Sequence, residues 1–291
     1  MHVGNPYMTV QTIAPADVNY FMLPLLSEKE FCRGLKEAIM NHPWHGFLFC
    51  LIWFFFFLNL PGTAWPQPQV DHSLYGELLA RYVKEGGVDY RGFKDEEAKL
   101  DQYLKILENT HTKALSRDEQ FAFYVNAYNA WTIKLILSGY PGVKSIKDLG
   151  SLFKSPWKKK ICRIDGGILS LDDIEHKVLR PRFQDPRVHF AVNCASRSCP
   201  PLISEPYEGS QLNEQLDSAV RAFLNNPERN YLEGNELYVS KIFKWFSDDF
   251  NDDVVGFFLT YAEGAFRENL TANRDRIKVK HLHYDWSLNG K

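Results

Sequence analysis

The residues with the clearest capacity for chemistry lie in HFAVNCASRSCPPL, residues 189–202. An apolar run that reads as a buried strand delivers Cys194, and Cys199 follows five positions on. A thiol becomes a nucleophile when a nearby cation, histidine or helix N-terminus lowers its pKa. A strand end opening into a loop is where scaffolds present such groups. Pro200 and Pro201 keep this loop from winding into a long helix, and Arg197 is a cation close in sequence. Three outcomes share the pattern: a catalytic thiol, a redox or structural Cys194–Cys199 disulfide, and two inert core cysteines. The C-x₄-C spacing is neither the C-x-x-C of thioredoxin-like redox sites nor a zinc pattern. No metal and no cofactor are expected.

A nucleophilic thiol needs a base. On a straight strand, at about 3.3 Å per residue, His189 sits roughly 16 Å from Cys194, out of hydrogen-bond reach unless the chain folds sharply between them. His176 in IEHKVLR comes from a separate element and is the preferred partner, with Arg180 on the same helical face as a substrate contact; the plain alternative is a packed surface histidine. His281 and His283 are further candidates. Asn126 and Asn129 lie three apart on one face of an apolar helix, and buried amides need hydrogen-bond partners. They either tie loops to the core or line a pocket, Asn126 orienting the histidine and Asn129 touching substrate. Glu119 is the third residue of a helix cap and shares that face, so it is the other orienting candidate. Asn193 or a loop N–H would hold an oxyanion. Lys241, beside Lys244, Trp245 and Phe246, either ends a strand or reaches a substrate carboxylate.

The elements that must position these groups alternate irregularly. Helical spacing covers 71–86 and 94–109. SRDE, residues 116–119, is a capping box opening FAFYVNAYNAWTIKLIL, apolar nearly all round as a central buried helix would be. KKKICRIDGGILSL reads as a hairpin turning at 165–167, its lysines a solvated edge. SLDD, residues 170–173, caps a short helix stopped by Pro181. RVHFAVN reads as a buried strand, 210–225 as a helix, and NYLEGNELYVSKIF as a hairpin turning at Gly234-Asn235. DDVVGFFLTYAEG reads as a helix and IKVKHLHYDW as a last strand. The order predicts an α+β fold: a single globular domain over residues 65–291, with a central buried helix packed with a small, mostly antiparallel sheet and hairpins.

The chain has 291 residues and a formal net charge of −2, with its charges spread along the sequence. That balance argues against a nucleic-acid partner, which needs a concentrated basic surface. Residues 46–60, GFLFCLIWFFFFLNL, form an apolar run inside a stretch free of Asp, Glu, Lys and Arg from Ala38 to Val70. It is short for a bilayer span and suits a secretory signal followed by the small-residue site GTA ending at Ala64. Met40 precedes it, so translation from Met40 is the reading taken, with residues 1–39 a start-site misassignment and 40–64 a signal peptide. An uncleaved anchor behind a cytoplasmic tail is the alternative. Either way the only expected membrane contact is at 46–60, and the domain is expected in the periplasm or secreted, where disulfides form.

EQFAFYVNAYNAW, SLDDIEHKVLR, DPRVHFAVNCASRSCPPL, SKIFKWFSDDF and YDWSLN occur together here in the order found in the domain of unknown function 547 family, which this chain resembles over about 115–287. The family's activity is undefined, so the resemblance names kin and no reaction. It implies the exported bacterial type, given the apolar run and the lack of heptads. Cys162 falls outside the family strings, which tilts any pairing towards Cys194–Cys199 or towards a free Cys194. The function expected is a thiol-dependent hydrolase or acyl transferase acting on an amide or thioester in a small molecule, peptide or envelope material. Cys194 would attack and His176 accept its proton. The alternatives are a non-catalytic binding or scaffold module stapled by the disulfide, and a thiol–disulfide exchanger.

Overall fold

A computed structural model of the chain describes residues 68–151 and 153–290. The expectations placed on residues 1–64 (alternative start, signal or anchor, cleavage site) lie outside the described residues. No helix among the described residues is long and apolar enough to cross a membrane.

The chain opens with helix α1 (Ser73–Tyr82). The helix expected over 71–86 stops at Tyr82 because Glu85 and Gly86 take positive φ and turn the backbone. Strands β1 (Val83–Lys84) and β2 (Gly87–Val88) pair antiparallel across that turn. Helices α2 (Tyr90–Asp95) and α3 (Glu97–Asn109) follow, the helical run starting four residues before the expected 94. Helix α4 (Arg117–Leu137) is the central buried helix expected from the pattern. Ser116 Oγ accepts the Glu119 amide at 3.2 Å, as the cap predicts. The return bond of the box is not made, because the Glu119 carboxyl turns to the amide of Gly209 instead. Ala122, Ala127 and Ala130 on α4 are wholly buried and let neighbouring backbone approach, while Phe123 and Ile136 fill the core; each large side chain so buried contributes roughly 1.5–3 kcal/mol.

Strands β3 (Cys162–Ile164) and β4 (Gly167–Leu169) form the expected hairpin. Ser170 and Asp173 then exchange both bonds of a full capping box, at 2.8 and 3.1 Å. The helix it opens does not stop at Pro181. Leu171–Asp173, a π-helical stretch Ile174–Leu179 and Arg180–Phe183 run on as one helix, α5. The wider π turn shifts the hydrogen-bond ladder and gives the proline ring room, and the helix ends at Gln184 in the left-handed region. RVHFAVN is not a strand either: Val188–Ala191 is one helical turn, α6, and only Val192 is extended. A fully buried apolar run carries no periodicity that separates the two. The correction matters, because a helical rise of about 1.5 Å per residue over His189–Ala191 shortens the path that set His189 apart from Cys194.

Helix α7 (Leu212–Leu224) precedes the hairpin of β5 (Tyr231–Glu233) and β6 (Glu236–Val239). Helices α8 (Ile242–Trp245), α9 (Val254–Tyr261) and α10 (Gly264–Asn273) follow, the last unanticipated. Strand β7 (Lys278–His281) pairs parallel to β6, Leu237 opposite Val279, and is shorter than the run to Trp286 suggested. The result is one α+β unit with small, mostly antiparallel sheets. Its interior has two hydrophobic clusters, one around α1, α3 and α4 and one around α7, α9 and the three-stranded sheet. Helix α6 lies between them: Val188 and Ala191 belong to the first and Phe190 to the second.

Polar anchors inside the first cluster have a pH signature. His72 is buried, with Nδ1 2.7 Å from the Tyr103 hydroxyl and Nε2 3.3 Å from the Asn126 amide nitrogen. Burial pushes its pKa down to about 4. The unfolded chain therefore binds a proton below pH 6.5 that the folded chain refuses until about pH 4. Over that window this one group should remove about 3 kcal/mol of stability as pH falls, and none above it. Urea unfolding from pH 4 to 7 should show a shallower pH dependence in His72→Gln than in the wild type.

Candidate functional site

The loop bearing Cys194 is fixed from below by a side chain of α4. Asn129 Nδ2 donates to the Ala191 carbonyl at 2.9 Å, and its Oδ1 accepts the Asn193 amide at 2.8 Å. A buried amide thus stands in for a neighbouring strand. Asn193 turns the chain, its Oδ1 accepting the Ala195 amide at 2.9 Å and its Nδ2 donating to the Pro200 carbonyl at 2.7 Å. Ala195 is left at φ +62°, a left-handed conformation that costs a non-glycine residue roughly 1 kcal/mol or more.

A second clamp comes from residues 284–290. The Asn289 amide donates to the Ala195 carbonyl at 3.0 Å, Arg197 N–H to Ser287 at 2.9 Å, and Ser198 N–H to Asp285 at 3.2 Å. This strap brings Tyr284 to the thiol. The Cys194 sulfur lies 3.1 Å from Ser196 Oγ and 3.4 Å from the Tyr284 hydroxyl, and Ser196 donates to Tyr284 at 3.1 Å. Each of the three groups brings one proton, so the triangle closes as a ring while the thiol is protonated; when the thiol ionises, both hydroxyls can turn to the sulfur. The Cys199 thiol and the Ser196 amide add to that field. Hydrogen bonding, first from Cys199 and then from Ser196 and Tyr284, outweighs burial and brings Cys194 down to about 7. Burial and the adjacent Cys194 charge push Cys199 up, so it keeps its proton. Tyr284 is pushed up mainly by burial and remains a donor.

All three described cysteines are free. The disulfide held open between Cys194 and Cys199 is not formed; the Cys199 sulfur accepts the Cys194 amide at 3.0 Å and its thiol donates to the Val192 carbonyl at 3.6 Å.

Cys194 and Cys199 open onto a cavity of about 230 Å³ at the seam of the two clusters. His176 and His189 also line it. His176 is exposed, and its Nδ1 lies 3.1 Å from Arg180 Nη1. His189 is almost sealed, its side chain 1% exposed, with Nε2 2.6 Å from Asp249 Oδ2. Arg180 grips the same carboxylate with Nε at 2.6 Å and Nη2 at 3.0 Å. The His189 ring stacks on Phe246 with centroids 4.0 Å apart. The bond to His189, then the Arg180 guanidinium, holds Asp249 well below the usual carboxylate range. Burial lowers the pKa of His189 despite that carboxylate. A neutral imidazole beside a carboxylate carries its hydrogen on the bonded nitrogen, so Nδ1 holds the lone pair; it has no hydrogen-bond partner among the described residues. Glu175, also in the wall, is buried and raised by desolvation, with the Tyr128 phenol as its hydrogen-bond partner.

The structure therefore brings Cys194, Cys199 and His176 to one cavity and leaves the other expected residues off its wall. Asn126 clamps Tyr207 through Nδ2 to its carbonyl at 2.7 Å and Oδ1 to its amide at 2.9 Å. Glu119 sits against Gly209 with Oε2 buried and unpartnered among the described residues. Asn129 and Asn193 are spent on the loop backbone. Arg180 lines an adjoining polar cleft of about 610 Å³ that shares His176. Lys241 precedes α8, where its carbonyl accepts the amides of Lys244 and Trp245. Asp249, Glu175 and Tyr284 went unnoticed as site residues: they stand in SDDF, IEHKVLR and the run read as a last strand, and no local spacing relates them to Cys194. No group of His, Cys, Asp and Glu among the described residues is arranged to hold a metal.

Residues 112–224 match the model of a family described as a protein of unknown function, DUF547. The match takes in α4 to α7 and both loop cysteines; Asp249 and Tyr284 lie beyond it. No curated protein matches the chain, and no solved structure does.

Two outcomes test the geometry. Alkylation of Cys194 by iodoacetamide should titrate with a midpoint near 7. In Tyr284→Phe/Cys199→Ala the midpoint should move towards the ordinary thiol value of about 8.5, slowing the reaction at pH 7 roughly tenfold. Asn129→Asp sets a carboxylate oxygen against the Ala191 carbonyl and should cost about 3 kcal/mol in urea unfolding.

Proposed function

We propose that this chain, which carries a DUF547 domain at residues 112–224, is a cysteine-dependent acyl-transfer enzyme, a hydrolase or transferase acting on an amide or thioester. One observation carries the reading: a half-buried thiol whose pKa is brought down to about 7 shares a cavity with the imidazole of an anchored His189–Asp249 pair. A thiol near half ionisation at neutral pH is a competent nucleophile. Cys194 Sγ would bond to the acyl carbon, and the leaving amine or thiol would depart with a proton. His189 Nδ1 would take the thiol proton and return it to the leaving group, with Asp249 holding the ring and Arg180 holding Asp249. Water or a second nucleophile would then cleave the thioester and restore the thiol. His176, expected to be the base, stands at the cavity beside Arg180 and fits a substrate contact better. The export reading of residues 46–64 belongs to the same proposal and would place this chemistry on extracytoplasmic substrates.

Thiol–disulfide exchange is the second reading, favoured by the place of both cysteines on one cavity and by the bond from the Cys194 amide to the Cys199 sulfur. The readings part on Cys199→Ala, which abolishes exchange but leaves acyl transfer recoverable at pH 9. Incubated with 4-nitrophenyl acetate, the wild type should form an acyl adduct on Cys194, seen by mass spectrometry, and none on Cys162. Cys194→Ser should form none. His189→Gln, which can still donate to Asp249, should slow turnover at least a hundredfold with an unchanged unfolding midpoint. Equal acylation of Cys162, or full turnover by Cys194→Ser, rules the proposal out.

A further inference from the structure

The walls of the cysteine cavity have a charge pattern that the thiol chemistry does not require. Trp245, Tyr284 and Trp286 meet as a tilted cluster, with ring centroids 4.7, 4.5 and 5.6 Å apart for the three pairs. Trp157 closes on Trp286 edge-on at 5.7 Å. All four rings line the cavity, and Trp245 is 45% exposed. Asp172, Glu175, the two histidines and the two cysteines line the cavity with these rings; no lysine or arginine stands in the wall among the described residues, although Lys147 reaches Trp286. The guanidinium of the adjoining cleft, Arg180, is committed to Asp249.

An indole or phenol face carries negative potential and attracts a cation, by about 0.5–1 kcal/mol at an exposed site and by about 2 or more where water is excluded. The protein already uses one of these rings in that way, since Lys147 Nζ sits 3.8 Å from the centre of Trp286. Ring faces, two carboxyl groups and a thiol that ionises readily all favour positive charge. The wall offers a carboxylate or phosphate ligand no lysine or arginine partner among the described residues.

We propose that the cysteine cavity is an ammonium-binding site: the substrate presents an alkylamine or a methylated ammonium to the box formed by Trp245, Tyr284, Trp286 and the Asp172–Glu175 wall. The inference deepens the acyl-transfer reading by naming the substrate's charge, and binding can be measured without turnover. Trp157, Trp245 and Trp286 report it directly. Tryptophan fluorescence of the full chain and of Cys194→Ser is titrated with n-butylammonium, tetramethylammonium, n-butanol and n-butyrate. Saturable binding is expected for the two ammonium ions, at least tenfold tighter than for butanol and butyrate, and Cys194→Ser should keep that order of preference. Asp172→Asn should weaken ammonium binding at least fivefold, and Trp245→Leu should do so with an unchanged unfolding midpoint. Equal affinity for butanol or butyrate, or no loss in both Asp172→Asn and Trp245→Leu, overturns the proposal. Because Cys194→Ser is tested for binding and the acetyl ester for chemistry, an unreactive thiol with bound ammonium would sink only the enzyme reading, and the reverse result only this one.

Discussion

The structure depends on a solvation constraint inside α4. Two amides sit on a helix that is otherwise hydrocarbon, and an unpaired amide in such a place costs on the order of a few kcal/mol. Asn126 meets the requirement with the backbone of Tyr207, and Asn129 meets it with the backbone on either side of Val192. Each amide satisfies both its donor and its acceptor on a loop that has no strand partner of its own. The same bonds that solvate the helix therefore set the height and direction of the segment entering the cysteine loop. A residue that looks functional from its type is structural in its contacts and still decides where the functional group stands.

From that fixed entry point the rest of the site is built by convergence. The first hydrophobic cluster supplies Tyr128 and Val192, the second supplies Ile242, Tyr284 and the packing beneath Phe246, and α6 contributes residues to both. Neither cluster closes over the seam, and the cavity is what remains. The strap at 284–290 then lies along the cysteine loop, with Asn289 reaching Ala195 and Asn193 and its own amide oxygen held by Tyr90. Elements far apart in sequence meet at one sulfur, and the electrostatics follow from that meeting: hydroxyls and an amide around the anion, and a guanidinium held one residue away behind the imidazole.

Much of the scaffold was legible before any coordinates. The Ser116 and Ser170 caps, the turn at 165–167, the hairpin at 231–239 and the buried helix all rest on signals within one turn or one strand pair. The errors have two causes. RVHFAVN is buried along Val188–Asn193, so that hydrophobic periodicity carries no information there. Pro181 is exposed, and the π turn ahead of it lets the helix continue where local preference predicts a stop. His189 was set aside because of the first of these, and the site's anchored imidazole went with it.

The sequence by itself determined that the chain would fold as an α+β unit around one apolar helix, that its amides there needed partners, and that Cys194 would stand at the start of a proline-bounded loop. Those properties are set by spacing and by the cost of burying polar groups, which act over a few residues. Only the tertiary structure decided that Cys194 would be free, that His189 would join His176 at its cavity, and that Tyr284 would stand beside the sulfur. Ionisation and hydrogen bonding depend on distances of about 3 Å between groups 5 to 90 residues apart, and nothing in a linear pattern fixes such distances.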